Sequence, residues 1–205
     1  MGSIYALKGR FQALLRPLVG ALFRAGITAN QVTLVAAVIS LLVAGLVYRA
    51  GVHWPLLYLL LPLWMLLRMA LNAIDGMLAR EFGQQSRLGA YLNELCDVVA
   101  DAALYLSLLG VPGVAAAALW SFAWLAALTE YAGVLGLMVG ASRRYDGPMG
   151  KSDRAFVVGV LGLGLASGLL GGRALTVVAI VLSLACVVTV WRRVRAGLAE
   201  AGVPA

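Results

Sequence analysis

The sequence predicts an all-α integral membrane protein with six transmembrane helices and an amphipathic helix at the amino terminus. Hydrophobic residues make up 62% of the 205 residues and charged residues only 12%. Soluble domains carry roughly 25% charged residues, so a soluble globular class is excluded. The mean hydropathy is +0.94. Several long apolar segments also reach the length of about 20 residues that a helix needs to cross a bilayer.

The amino-terminal segment differs in pattern from the spans that follow. Residues 4–25 alternate apolar side chains with basic ones, namely Lys8, Arg10, Arg16 and Arg24. This alternation is typical of a helix that lies in the membrane interface rather than across it. We therefore expect an interfacial helix within residues 1–26.

Six predicted spans follow, separated by short turns. They cover residues 31–49, 54–80, 88–110, 112–141, 154–171 and 174–191. We expect one membrane domain over residues 1–205, in which residues 27–191 form the six-helix bundle. Residues 192–205 are predicted to be a cytoplasmic tail that forms a short helix with three arginines after Trp191.

The distribution of basic residues predicts the orientation. Most of the 16 Lys and Arg residues fall in the amino-terminal segment, around the turn at 81–87, in the loop at 142–154 and in the tail. The positive-inside rule then places both termini in the cytoplasm, which requires an even number of spans. The net charge of +7 indicates affinity for the membrane surface and for phosphate groups, and no nucleic-acid partner is expected.

Polar side chains gather in the second and third predicted spans, where ionisable residues are costly and indicate function. Helical geometry places Arg68, Asn72 and Asp75 on one stripe of the second span. The corresponding stripe of the third span contains Gly89, Asn93, Asp97 and Asp101.

The short turn between these spans makes them an antiparallel hairpin. Asp75 and Asn93 lie equally far from the turn and should meet at one depth, with Asn72 and Asp97 about one turn deeper. Carboxylate and amide oxygens suit Mg²⁺, Mn²⁺ or Ca²⁺. Small residues also commonly serve helix packing alone, but the two aspartates and the basic flank favour a functional site here.

This frame resembles the signature of the CDP-alcohol phosphotransferase family, D-x2-D-G-x2-A-R-x8-G-x3-D-x3-D. The corresponding positions are Asn72, Asp75, Gly76, Ala79, Arg80, Gly89, Asn93 and Asp97. The segment LNAIDGMLARE is similar in particular to an inner-membrane subgroup that has LNALDGMLARE. Residues 28–33 resemble a Pro-Asn-x-x-Thr element of the family, with Ala29 in place of proline, and residues 147–154 resemble its basic loop before the fifth span.

The resemblance implies an enzyme of phospholipid synthesis. It would transfer a phosphatidyl or related phosphoalcohol group from a CDP-linked donor, CDP-diacylglycerol being favoured, to a hydroxyl acceptor with release of CMP. It implies Mg²⁺ or Mn²⁺ at Asn72, Asp75, Asn93 and Asp97, and Asp97 as the base. It implies donor contacts from Asn30, Thr33, Asp75, Gly76, Ala79, Arg80 and Gly89. It also implies a homodimer and, for this subgroup, a bacterial inner membrane with the site toward the cytoplasm.

Two features modify these expectations. Asn72 and Asn93 replace signature aspartates, so we expect one tightly held metal, or two held weakly, rather than two tight ones. The basic residues Arg143, Arg144, Lys151 and Arg154 predict either contact with anionic lipid or a phosphate site for the acceptor. Arg68 is expected to pair with Asp101 or Glu130.

Two alternatives remain open. The two asparagines could mark a homologue that binds a CDP-lipid with weak or no turnover. An ion- or proton-coupled transporter could use Asp75, Asp97, Asp101 and Glu130, although the sequence lacks the internal repeat common in transporters. The sequence also leaves open whether the donor carries diacylglycerol or a polar alcohol on CDP, and which alcohol is the acceptor.

Overall fold

The computed structural model of the chain describes residues 2–202, and their side chains from residue 11 onward. Met1 and residues 203–205 of the predicted tail lie outside the described residues, as do the side chains of Lys8 and Arg10. The described part contains helices and turns but no β-strand. Its α-helices are α1 (Gly2–Arg24), α2 (Ala29–Ala50), α3 (Leu60–Glu81), α4 (Arg87–Leu106), α5 (Ala116–Leu135), α6 (Lys151–Ala166) and α7 (Gly172–Glu200).

The predicted all-helical class is confirmed, and each predicted span corresponds to one of the helices α2 to α7. Within the described residues, four helical stretches are long and apolar enough to cross a membrane: Ala29–Ala50, Pro55–Glu81, Ala116–Val139 and Gly172–Glu200. The second and third of these each include a 3-10 turn next to the α-helix. The other two are less apolar or shorter, because α4 carries the ionisable residues and α6 has only 16 residues. The number of six spans stays a prediction.

Several predicted boundaries were wrong, and turn chemistry explains the differences. The fourth span was predicted from residue 112, but Gly113 has φ +79° and α5 begins only at Ala116. Gly168, with φ +72°, follows the end of α6 at Ala166, where the prediction continued to residue 171. A left-handed φ is accessible to glycine at little cost, so both positions favour a turn over a helix.

The residues after Trp191 are helical, as predicted, but they belong to α7, which continues without a break to Glu200. No proline lies between Trp191 and Glu200 that would interrupt it. Arg193 and Gly197 are both buried and lie four residues apart, on one face of the helix. Because this face is buried, the segment packs against the rest of the second unit as part of α7.

Side-chain caps determine where α2 and α4 begin. Thr28 and Gln31 form a capping box: Thr28 Oγ1 accepts the Gln31 N–H at 3.2 Å, and Gln31 Oε1 accepts the Thr28 N–H at 2.9 Å. Ser86 Oγ accepts the Gly89 N–H at 2.9 Å and caps α4. Gln84 Oε1, from the turn before α4, accepts the Ala29 N–H at 2.7 Å. This last hydrogen bond ties the α3–α4 turn to the start of α2.

The chain divides into two compact units. The first unit comprises Met1–Ile39 and Leu66–Asp97, and the second comprises Ser40–Met65 and Val98–Ala205. The helices α2, α3 and α4 each contribute residues to both units. The first unit has a small apolar core of Val19, Ala29, Val32, Ile74, Met77 and Leu78.

In the second unit α5 packs along α7, and the loop between α5 and α6 lies against both helices. The Arg144 N–H donates to the Gly133 carbonyl at 3.0 Å, and a Cβ atom at Gly133 would lie only 2.7 Å from the Arg144 oxygen. Gly147 has φ +114°, and a Cβ atom there would lie 2.7 Å from a methyl carbon of Thr189. Glycine is therefore needed at both positions for the loop to approach the helices.

Replacing Gly147 by alanine is expected to lower the melting temperature. The left-handed backbone costs about 1–3 kcal/mol for a non-glycine residue, which corresponds to a decrease of roughly 2–10 °C for a chain of this size. Thermal unfolding in detergent measures this decrease in the melting temperature. The matched control is Gly45→Ala in α2, where an added Cβ atom meets nothing within 4 Å. Equal melting temperatures for the two variants would contradict the contact with Thr189.

Candidate active site

A cavity of about 430 Å³ in the first unit gathers polar residues from α2, α3 and α4. All seven residues predicted to contact the donor line it, together with three of the four predicted metal ligands. The residues from these two predicted sets are Asn30, Thr33, Asn72, Asp75, Gly76, Ala79, Arg80, Gly89 and Asn93. The fourth predicted metal ligand, Asp97, is linked to this group through Asn72.

Asp75 is the carboxylate that lines the cavity, and it is only 6% exposed. Its Oδ2 atom accepts a hydrogen bond from Thr33 Oγ1 at 2.8 Å. The same hydroxyl lies 3.1 Å from the Ala29 carbonyl oxygen, one turn earlier in α2. The Thr33 side chain thus holds the carboxylate in place from the neighbouring helix.

Two glycines allow polar side chains to lie close to the helix backbone at the cavity. A Cβ atom at Gly89 would lie 2.8 Å from Asn30 Oδ1, so the Asn30 amide lies directly against the backbone of α4. A Cβ atom at Gly76 would lie 2.8 Å from a guanidinium nitrogen of Arg80. Side chains at these positions would displace Asn30 or Arg80, since atoms do not approach so closely without a shift.

Asp97 contacts two residues of α3. Its Oδ1 atom accepts a hydrogen bond from Arg68 Nη2 at 3.0 Å and lies 3.5 Å from Asn72 Nδ2. Arg68 also donates to the Asp97 backbone oxygen at 3.2 Å, and its side chain is only 5% exposed. The expected partners for Arg68 were Asp101 and Glu130, and this expectation omitted Asp97. Equal depth in the hairpin favoured Asp101, because Arg68 lies one turn deeper than Asn72, but the long arginine side chain also reaches Asp97.

The oxygen donors at this site fit a hard divalent cation. They carry less negative charge than the four aspartates of the signature would supply. Asp75 provides a carboxylate, and the side chains of Asn72 and Asn93 provide amide oxygens at the same cavity. Among the described residues, no group of three or more His, Cys, Asp or Glu side chains could hold a metal ion. At positions 72 and 93 the side chains are amides, whose oxygens are neutral donors.

The predicted basic residues lie in the second unit, and two of them, Arg143 and Arg154, contact Glu130. Glu130 Oε1 accepts a hydrogen bond from Arg154 Nη2 at 2.7 Å, and its Oε2 accepts one from Arg143 Nη2 at 3.2 Å. Arg193 Nη1 lies 3.6 Å from the same carboxylate, and Asp101 lies 3.7 Å from Arg154. Three guanidinium groups therefore converge on one glutamate.

Burial separates these basic residues. The side chains of Arg154 and Arg193 are each 1% exposed, whereas that of Arg143 is 25% exposed. Arg154 also donates to Thr129 Oγ1 at 2.8 Å and to Tyr105 Oη at 3.3 Å. These contacts make Arg154 part of the internal packing of the second unit.

Arg144 is held by two acidic residues, one in the loop itself and one at the end of α7. It donates to both carboxylate oxygens of Asp146, at 2.9 and 3.1 Å, and to Glu200 at the end of α7. Glu200 also accepts the Ser142 N–H at 2.9 Å. Lys151, the remaining predicted phosphate ligand, is the first residue of α6 and is partly exposed.

The sequence is similar to those of known proteins. Residues 26–191 match the family model described as CDP-alcohol phosphatidyltransferase. The chain is 47% identical over 164 residues to the inner membrane protein YnbA of Escherichia coli strain K12, a match that covers 80% of this chain and 81% of that protein. It is 34% identical over 98 residues to the phosphatidylinositol phosphate synthase of Mycobacteroides abscessus, covering 48% of this chain and 42% of that enzyme.

The fold is similar to that of a solved enzyme from Mycobacterium tuberculosis, the phosphatidylinositol phosphate synthase PgsA1. Its crystal structure with manganese and citrate has a TM-score of 0.73 and covers 88% of this chain and 87% of that chain. Its structure with CDP-DAG bound has a TM-score of 0.74 and covers 89% and 92%. The identity is 23% in both, so these structures support the fold.

Proposed function

Because the chain belongs to the CDP-alcohol phosphatidyltransferase family, as its signature predicted, we propose that it transfers a phosphatidyl or related phosphoalcohol group. The donor is CDP-linked, with CDP-diacylglycerol favoured, the acceptor is a hydroxyl compound, and the second product is CMP. The observation that carries this proposal is the single cavity shared by Asp75, Gly76, Arg80 and Gly89, four residues of the signature. The CDP-DAG named with the similar structure supports the same donor.

We assign the donor's CDP group to the first-unit cavity. The donor pyrophosphate is anionic, and Arg80 supplies a guanidinium among the lining residues. Gly76 and Gly89 let a bulky group approach the helix backbone, and Asn30 and Thr33 provide polar contacts from α2. Each of these contacts is a proposal that a structure with CDP can test.

We assign Mg²⁺ or Mn²⁺ to Asn72, Asp75, Asn93 and Asp97. When bound, the ion neutralises charge on the transferring phosphoryl group and on the leaving oxygen. Thr33 fixes the orientation of Asp75, and Asn72 joins the cavity to Asp97. The manganese named with the similar structure is consistent with this choice of ion.

Asp97 is proposed as the base that removes the proton of the acceptor hydroxyl. Arg68 and Asn72 both contact Oδ1, so they hold the carboxylate in one orientation. A carboxylate in fixed orientation can take a proton from a hydroxyl placed within hydrogen-bond distance. The resulting alkoxide attacks the phosphorus, and CMP leaves.

We propose the basic residues of the second unit for the acceptor, as an anion site for a phosphorylated alcohol. Arg143 and Lys151 are the more accessible members, and Arg144 and Arg154 support the loop through their acidic partners. Arginine suits phosphate because its planar fork can donate two parallel hydrogen bonds. An acceptor without a phosphate group would contradict this assignment.

The membrane arrangement completes the proposal. We propose that the chain has six spans, with both termini in the cytoplasm and α1 in the interface. This arrangement would put the site near the cytoplasmic face. The inner membrane named for the relative YnbA supports the bacterial inner membrane as the location. A homodimer is proposed from the family resemblance, and cross-linking in native membranes tests it.

The lipid composition of cells tests the proposed function. Cells that produce the protein should contain a phospholipid that is absent, or much reduced, in cells that lack it. Asp75→Asn should abolish the difference, because the carboxylate of the cavity is lost. A lipid profile that stays the same in all three strains would contradict the proposal.

The two asparagines favour one competing function, that of a protein that binds a CDP-lipid without efficient turnover. An amide brings no negative charge to a metal site, so the protein could hold the donor and react slowly. Binding of CDP-diacylglycerol without any release of CMP would favour this function over catalysis.

Restoring the aspartates is expected to strengthen metal binding. We expect wild-type protein to bind one Mn²⁺ tightly, or two weakly, and the double variant Asn72→Asp with Asn93→Asp to bind at least about 10-fold more tightly. Each added carboxylate near a divalent ion is favourable by more than the roughly 1.4 kcal/mol that a tenfold change requires. Calorimetric titration measures both affinity and stoichiometry. Two tight ions in wild-type protein would contradict the expectation.

A further inference from the structure

The carboxylate of Glu130 is a buried group to which the proposed acceptor site assigns no role. This residue is 7% exposed and lies on α5, next to Thr129. It is neither part of the signature nor a member of the predicted basic set. Its two oxygens nevertheless contact guanidinium groups from three different segments: the α5–α6 loop, α6 and α7.

The two oxygens of this carboxylate have different partners. Oε1 accepts from Arg154 at 2.7 Å and lies 3.6 Å from Arg193, and the side chains of both arginines are 1% exposed. Oε2 accepts from Arg143 at 3.2 Å, and the side chain of Arg143 is 25% exposed. Glu130 therefore connects a fixed internal pair of arginines to an accessible one.

A second contact fixes the other side of Arg143. Its Nη1 atom donates to Tyr145 Oη at 2.9 Å, and its guanidinium carbon lies 4.8 Å from the centre of the Tyr145 ring. The guanidinium is thus held between Glu130 and Tyr145. A guanidinium group held in this way loses little side-chain entropy when it binds an anion, and this lowers the free-energy cost of binding.

We propose that Glu130 is the positioning residue of the acceptor site, which holds Arg143 in the orientation that binds the anionic group of a phosphorylated acceptor. The inference rests on the proposed function, since it takes the basic loop as the acceptor site. Glu130 acts through Arg143 and does not itself contact the acceptor. The buried pair of Arg154 and Arg193 fixes the position of the carboxylate.

The substitution Glu130→Asp isolates this role. Aspartate keeps the negative charge that the buried arginines need but is shorter by one carbon–carbon bond, about 1.5 Å. It cannot keep both the 2.7 Å contact with Arg154 and the 3.2 Å contact with Arg143. Glu130→Gln is less suitable, because removing a negative charge beside the site would itself favour an anion.

Binding of two probes to purified protein tests the inference. Inorganic phosphate, titrated without divalent ions, reports on the basic loop, and CDP, titrated with Mn²⁺, reports on the first-unit cavity. Glu130→Asp is expected to raise the dissociation constant for phosphate at least about 5-fold and to leave that for CDP unchanged, because a misplaced fork loses most of its paired hydrogen bonds. Glu81→Asp, at an exposed ion pair with Arg16, is the matched control and should change neither constant.

A double variant shows whether the effect passes through Arg143. If it does, Glu130→Asp combined with Arg143→Gln binds phosphate no more weakly than Arg143→Gln alone, since the two substitutions remove one interaction. Additive effects would overturn the positioning role. So would a Glu130→Asp protein that melts at a lower temperature but binds phosphate normally, or a wild-type protein that binds CDP but no phosphate. A wild-type protein that binds no CDP would instead contradict the proposed function.

Discussion

Replacement of Asp75 by asparagine is expected to reduce the rate of CMP release from CDP-diacylglycerol about 1,000-fold. The reason is the loss of the carboxylate at the cavity, where it is 6% exposed and held by Thr33. Metal-ion stabilisation of phosphoryl transfer contributes several kcal/mol, and each 1.36 kcal/mol corresponds to a factor of 10 in rate. The rate at saturating Mn²⁺ in detergent micelles measures the effect.

The asparagine variant should remain folded, because its amide oxygen can still accept the hydrogen bond from Thr33 Oγ1. The matched control is Asp153→Asn, an exposed residue whose side chain accepts the Gly150 N–H at 3.0 Å. This control should retain the wild-type rate. A rate for Asp75→Asn within a few-fold of wild type would exclude Asp75 as a ligand.

Replacement of Asp97 by asparagine is expected to lower kcat by about 100- to 10,000-fold, the range for loss of a general base. An amide can accept the hydrogen bond of Arg68 but cannot take a proton from a hydroxyl. The defect should persist at saturating Mn²⁺, which distinguishes a lost base from a weakened metal site. Single-turnover measurements of CMP release are the appropriate assay.

Folding must be checked separately for this variant. Arg68 is 4% exposed, and removing one charged partner of a buried ion pair costs about 3–5 kcal/mol in typical cases. Asp97→Glu keeps the charge and a carboxylate and serves as the companion variant. It should retain partial activity, and full activity of Asp97→Asn would remove Asp97 as the base.

Local sequence patterns were sufficient to predict the hairpin and most of its polar site. The three-residue spacing of Asn72 and Asp75 shows that they share a helix face, and the short turn sets the depth at which Asn93 meets Asp75. The structure places all three at one cavity. Their roles as ligands stay predictions, because spacing identifies neighbours and not what they bind.

Contacts between distant segments were harder to predict. The residues after Trp191 were interpreted as a short cytoplasmic helix with three arginines that anchor it by charge, whereas Arg193 is 2% exposed on the continuous helix α7. A signal was available: Thr189, Arg193 and Gly197 recur every four residues and are all buried. The partner of this face, the loop packed on Gly133, cannot be identified by periodicity, since periodicity shows which face is buried and not what covers it.

The most direct test of the proposed transfer is the ratio of the two products. Purified protein in lipid nanodiscs is given CDP-diacylglycerol with a labelled diacylglycerol group, Mn²⁺ and a panel of polyols and phosphorylated polyols. We predict that one acceptor gives a new labelled phospholipid and CMP in equal amounts, and that the Asp75→Asn variant forms neither product. Absence of a labelled phospholipid with every acceptor, or release of CMP without one, would contradict it.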